Sequence, residues 1–328
     1  MRSPANTDSW KAIGYVLLLA TSVAIVDQPV SAEEGGGGHY FPGTISSLLD
    51  GVAPSEVFIV RLNGIYYDGS IGASTGIPIA GRTALDVDVK SAAGGLTMFW
   101  RPSWGGFLGE RWSYGMSTTI PIPWVEVSAN VVAAGRTVRR TDSEFGLGDI
   151  LIAPLMFNYH VSDDLNVNAR LNVYTPTGSY EVGRLANLGK NYWTFEPILG
   201  LMYLGKQNGR EASVFLGADF NTENPDTNYH TGTQLHVDGT LAQHVPIGTT
   251  LLGLGVTGYW YQQIEGDSGS GATFGSFKAR TNGVGPSFTI SHPFGSHNFV
   301  AELKWLHELG VERRPEGDSF IVKAMLTF

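Results

Sequence analysis

The 328-residue chain contains no cysteine, which excludes disulfides, thiolate metal sites and cysteine nucleophiles. Beyond residue 32 no run approaches the ~18 consecutive apolar residues of a membrane-crossing helix, so a helical membrane protein is excluded. Positive charge is also scarce: 21 Lys and Arg stand against 30 Asp and Glu, a net charge of −9, with no basic run. Nucleic acids are held by a clustered cationic face, so no nucleic-acid partner is expected.

What is present begins with an export signal. Arg2 and Lys11 form a positive head, residues 12–26 an apolar stretch, and Val30-Ser31-Ala32 a small-residue cleavage site. The stretch falls short of the ~20 residues that span a bilayer, and glycines 35–38 would detach it from any core. Cleavage before Glu33 removes Arg2 and Lys11 together with Asp8 and Asp27, so the net charge does not move. The expected organisation is a signal peptide over 1–32, an N-terminal periplasmic or plug segment over 33–54, and a barrel over 55–328.

Leu165, Val167, Ala169, Leu171 and Val173 share one face of a segment whose other face carries Asn166, Asn168, Arg170 and Asn172. Period-two alternation is a strand pattern, incompatible with an amphipathic helix. Short links at 102–106, 162–164, 206–209, 246–248 and 293–296 alternate with longer polar or Gly-rich links at 68–85, 135–145, 178–191, 222–230, 265–275 and 312–317. Tight turns at one end and longer loops at the other mark an all-β, transmembrane, antiparallel up-and-down barrel. The strands read 55–67, 86–101, 111–134, 146–161, 165–177, 192–205, 210–221, 231–245, 249–264, 276–292, 297–311 and 318–328. Twelve is an even number, which returns both termini to the periplasmic end. The third span exceeds the ~9–11 residues a membrane strand needs, so it either projects outside or breaks near Pro121 and Pro123.

Tyr66, Tyr67, Trp100, Trp104, Trp112, Tyr159, Tyr174, Tyr192, Trp193 and 259–261 cluster near strand ends, as headgroup-level girdles do. Phe320, Val322, Ala324, Leu326 and Phe328 share a face of the last strand. The terminal Phe328 resembles the signal read by outer-membrane assembly machinery, an expected partner beside outer-membrane lipids. Thr44 is placed to cap a short helix through Ile45, Leu48 and Leu49, against or inside the barrel mouth or in a loose tail.

Several segments together resemble the MetA-pathway phenol-degradation (SphA-like) family of outer-membrane proteins. They are Gly38-His39-Tyr40-Phe41-Pro42-Gly43, Asn63-Gly64-Ile65-Tyr66-Tyr67-Asp68, Gly146-Leu147-Gly148-Asp149 with Pro154, and Tyr174-Thr175-Pro176-Thr177-Gly178-Ser179-Tyr180. Leu188-Gly189-Lys190-Asn191-Tyr192-Trp193 with Glu196-Pro197, and the stretch 259–271, complete the set. The resemblance implies an outer-membrane channel for uptake of aromatic or other hydrophobic small molecules, and carries over no catalytic set.

Alternation assigns Arg170, Glu196, Asp219, His236, Asp238, Lys278, Arg280, Glu302 and Lys304 to the lumen. Charges of both signs there either tune selectivity or pair into a network that plugs a narrow barrel. His236 and Asp238 share a face, as two members of a serine triad would, but no nucleophile motif flanks them. Asp86, Asp88 and Asp267 lack the fixed ligand spacing of a calcium loop. No cofactor and no metal are therefore expected. The leading function is a cell outer-membrane channel with a small-molecule solute as partner. The alternatives are an outer-membrane lipid or peptide hydrolase and a structural or surface-interaction barrel.

Overall fold

Strands that are greasy on one face and polar on the other bury nothing alone in a bilayer, and an open sheet would leave edge N–H and C=O groups in lipid; closure solves both problems. The computed structural model describes residues 37–328 apart from 54, 73–75, 81, 134–135, 273–275 and 277, so the expected signal peptide lies outside the described residues. The strands are β1 (Val57–Ile71), β2 (Ile77–Ile79), β3 (Arg82–Arg101), β4 (Trp112–Ala133), β5 (Arg136–Phe145), β6 (Leu151–His160), β7 (Leu165–Tyr174), β8 (Thr194–Leu204), β9 (Arg210–Asn221), β10 (Gln234–Ile247), β11 (Thr250–Gln263), β12 (Arg280–Phe294), β13 (His297–Glu312) and β14 (Glu316–Thr327). All strands but β2 and β5 form a closed, antiparallel, up-and-down ring of twelve. It closes where Leu62 of β1 faces Ala324 of β14, and Leu96 of β3 faces Ile120 of β4.

Leu62, Leu96, Leu199, Leu216, Leu241, Leu254 and Val322 stand exposed on the outside, a band suited to lipid chains. Inside, Asn168, Glu196, Asp219, Asp238, Glu302 and Lys323 are buried. The aromatic girdle is real but smaller than expected. Trp100, Trp104, Phe107, Tyr114 and Phe157 form a chain of ring contacts on the outside at the short-turn end, with Trp112 and Tyr159 as a separate pair beside it. Tyr66, Phe320 and Trp305 meet at the other end. Tyr192, Tyr259 and Tyr261, by contrast, are buried, and Tyr67 and Tyr259 both donate to Glu308 inside the lumen. Strand parity, not nearness to a strand end, decides which way a ring points.

The long third span does not break at its prolines. β4 runs unbroken for 22 residues, pairing with β3 throughout most of its length. On its other side it pairs with β6 as far as Thr119–Leu151 and with β5 from Trp124–Phe145 onward. β5 falls in the stretch 135–145, expected as one of the longer polar or Gly-rich links, and its residues are mostly exposed. It is a ladder on β4, tied to the neighbouring top of β3 by Arg139, which pairs with Asp86 and Asp88. Residues 146–150 leave the ladder between β5 and β6, and there Gly146 and Gly148 donate to the carbonyls of Pro123 and Pro121. In an antiparallel strand the N–H and C=O of one residue point to the same side. The donors that Pro121 and Pro123 lack would therefore face this interruption and not β3, which explains how both are accommodated.

Candidate functional site

Residues 37–53 run inside the ring, and the polar inner face of the barrel grips them. The Tyr40 hydroxyl donates to Asp238 Oδ1 at 2.6 Å, and the Gly43 amide to the same oxygen at 2.8 Å. His39 lies 2.8 Å from Asp149 and 2.6 Å from the Thr194 hydroxyl, stacked on Tyr174. Burial pushes the His39 pKa down, against the raising influence of Asp149. Lys304 donates to the Gly43 carbonyl at 3.2 Å and to the Ser46 hydroxyl at 2.7 Å, and the Leu48 amide donates to Glu211 at 2.9 Å.

The expected helix is a single 3-10 turn, Leu48–Asp50, preceded by Ser47 and not by Thr44, whose hydroxyl donates to the Phe41 carbonyl. Asp50 closes this turn by accepting the Ser46 amide at 3.0 Å. Its carboxylate also meets Lys323 at 2.8 Å and Arg61 at 3.2 Å, while Arg170 donates to its carbonyl. Burial pushes the Asp50 carboxyl up, but Lys323, Arg61 and Lys304 outweigh it and hold it well below the usual carboxylate range. Lys304 and Lys323 share Glu302, at 2.9 and 3.4 Å.

Of the residues assigned to the lumen, Arg170, Glu196, Asp219, His236, Asp238, Glu302 and Lys304 are inside and buried. Lys278 and Arg280 are not. Lys278 is exposed in the loop before β12, and Arg280 points outward to Glu312 at 2.6 Å. Thr281, Gly283 and Ser287 hold the inward positions of β12, one residue out of phase with that assignment, and the register to β13 shifts between Arg280 and Asn282. A one-residue slip exchanges the two faces.

Around His236 the wall gathers two acids, an amide and a phenol. Nδ1 lies 3.0 Å from Asp238 Oδ2, and Nε2 lies 3.0 Å from Glu196 Oε1. Glu196 Oε2 accepts Asn172 at 2.7 Å and the Tyr174 hydroxyl at 3.3 Å. With both ring nitrogens turned to carboxylates, His236 has none left for a serine, so triad geometry is not formed. Asp50, Asp149, Glu211 and Glu308 escaped the sequence reading. Glu308 shares the parity of Glu302 and Lys304, so extending that alternation would have found it; Asp50 sits where no period exists to place it.

Two cavities flank the plug. One of about 250 Å³ is lined by Phe41, Tyr67, Ile79, Val89, Val125 and Leu185. The other, about 300 Å³, lies against Ile45, Ile65, Pro121, Pro123, Leu151 and Leu188, at the interruption beside β4. A vestibule of about 730 Å³ at the short-turn end is bounded by Leu48, Leu49 and Val52.

Residues 72–324 match the family described as "Putative MetA-pathway of phenol degradation". Among solved structures, the chain is similar to the COG4313 outer membrane channel from Pseudomonas putida F1, with a TM-score of 0.63 and 16% identity over 88% of this chain and 100% of that one. Weaker likenesses are to a Pseudomonas aeruginosa FadL homologue (TM-score 0.40, 9% identity, 92% and 98% covered) and to the NanC porin (TM-score 0.40, 10% identity, 82% and 98% covered). No curated protein matches in sequence. At these identities the structural likeness is one of fold.

Proposed function

The chain belongs to the phenol-degradation MetA-pathway family, and from that premise we propose that it is an outer-membrane channel admitting small hydrophobic or aromatic solutes. The observation that carries the reading is the 300 Å³ cavity, its walls largely apolar, set where the barrel wall loses its ladder at 146–150. That volume falls at the lower end of small-molecule sites, about 300–1,000 Å³. The axis of the barrel is filled by the plug and its buried ion pairs, which suits neither bulk water nor hydrated ions. A solute dissolved in lipid meets a different surface: Pro121 and Pro123 offer no N–H on that side, and residues 175–193 cover the interruption mainly through side-chain contacts, with the Thr175 amide donating to the Ile150 carbonyl. Arg184 pairs with Asp142 and Glu144, and the Leu185 and Ala186 amides donate to Asp142. Opening those contacts costs less than separating a paired strand.

In this reading the lumen charges Arg170, Asp238 and Lys304, the last braced by Glu302, act chiefly by holding the plug, and ion selectivity is secondary. The test is uptake by cells that lack or express the protein, comparing a radiolabelled aromatic acid and a longer hydrophobic solute with a hexose. Expression is expected to raise hydrophobic uptake several-fold and leave the hexose unchanged. Equal gains for both would replace the proposal with a general aqueous pore.

A further inference from the structure

We propose that Glu196, Asp219 and His236 form a binding site for a first-row divalent transition ion such as zinc, built into the inner wall where β8, β9 and β10 adjoin. Each residue offers one ligand atom, and these atoms lie within 4.8 Å of one another. Ligands sharing one ion at about 2.0–2.2 Å stand at most about twice that apart, so a small inward rotation completes the set.

The surroundings orient two of the three ligands. Asp238 Oδ2 takes the proton side of the imidazole at Nδ1, which leaves Nε2 as the free lone pair; a carboxylate behind a ligating histidine is the usual arrangement. Glu196 is fixed through Oε2 by Asn172 and Tyr174, leaving Oε1 for the ion. The Tyr40 ring stacks on the imidazole face at 3.8 Å, so the ring plane, along which a metal bonds, stays open. Gly217 provides the room: a Cβ there would stand 2.1 Å from Nε2.

A second observation points to a missing cation. Glu196 is 0% and His236 1% exposed, yet among the described residues neither Oε1 nor Nε2 has a hydrogen-bond partner. The two atoms lie only 3.0 Å apart without the alignment of a hydrogen bond. Two lone pairs at that distance repel unless a positive charge stands between them. A proton on Nε2 would bring one positive charge to a group of three carboxylates, whereas a divalent ion beside a neutral imidazole brings two. Nitrogen with carboxylate oxygen, and no sulfur, favours zinc, manganese or iron over the hard oxygen-seeking magnesium. Because Asp238 Oδ1 also anchors Tyr40 and Gly43, an ion at this site supports the docked plug.

The experiment refolds the full chain into detergent, removes metal with EDTA, loads Zn²⁺, and measures zinc in the heat-modifiable folded band after gel filtration. About one zinc per folded chain is expected, with His236→Gln and Glu196→Gln each lowering occupancy at least about tenfold. His244→Gln, which alters a separate histidine–glutamate contact on the same wall, should retain the zinc. Less than about a tenth of a zinc per wild-type chain, or equal retention by His236→Gln, overturns the proposal in favour of an imidazolium held between two carboxylates. Should the substitutions prevent folding, the unfolding temperature of the wild-type barrel decides. A rise with Zn²⁺ and none with Mg²⁺ supports the site, and an identical response to both refutes it.

Discussion

Replacing Asp50 with Asn should release the plug. The change keeps the side chain's size and one acceptor but removes the charge that meets Lys323 at 2.8 Å and Arg61 at 3.2 Å. Breaking a buried ion pair by removing one partner costs about 3–5 kcal/mol, mostly from the charge left behind. Here the lower end applies, because Lys323 keeps Glu302 at 3.4 Å and Arg61 is 22% exposed and partly hydrated. About 3 kcal/mol corresponds to roughly a 150-fold larger undocked fraction. Ser47→Cys is the reporter: Ser47 is 1% exposed, and the chain has no cysteine of its own. The rate of maleimide labelling of such a buried thiol follows the undocked population. Labelling of the double variant should therefore be faster by about two orders of magnitude, with the barrel still folded on a heat-modifiable gel. Rates within about threefold of one another would refute the assignment of Asp50 as the plug's anchor.

The same carboxylate predicts acid opening. The docked Asp50 is held below the usual range, so its contribution is complete above the free value of about 3.9 and is lost as pH falls toward the docked value. His39 is also lowered by docking, so its contribution is complete above about 6.5 and declines below it. Bilayer conductance should rise in two steps on acidification, and Asp50→Asn should abolish the lower one; a flat profile in the wild type would contradict both. Leu199→Arg, on the lipid face and 60% exposed, should cost about 2–4 kcal/mol of barrel stability in urea titrations into bilayers. Gly217→Ala forces a Cβ to 2.1 Å from His236 and should destabilise the barrel by about 1–3 kcal/mol. Gly64→Ala, whose nearest neighbour would be Val322 Cβ at 3.7 Å, should leave the urea midpoint unmoved.

Alternation along the chain is a local property with one repeat, and it determined most of what a barrel is. The Leu165–Val173 pattern placed Asn168, Arg170 and Asn172 inside, and an even count of strands brought the ends of the described barrel together, where Phe58 and Phe328 exchange backbone hydrogen bonds. The same rule failed at Arg280 because parity carries no sign: the sequence states that neighbours face opposite ways, and only the ladder to β11 and β13 decides which way. Tyr259 and Tyr261 went inward for that reason, where a rule based on nearness to strand ends had put them in lipid headgroups. Pro121 and Pro123 were legible as a disturbance of β4, but whether they break the strand or face a gap depends on which neighbour their missing donors point at, a fact of strand pairing. The plug lay furthest from reach. Residues 37–53 have no period, and Asp50 acquires its role only when Lys323, Arg61 and Arg170, brought by three different strands, converge on it. A chain one residue wide encodes which face is polar; what that polar face encloses is settled by distances between strands far apart in sequence.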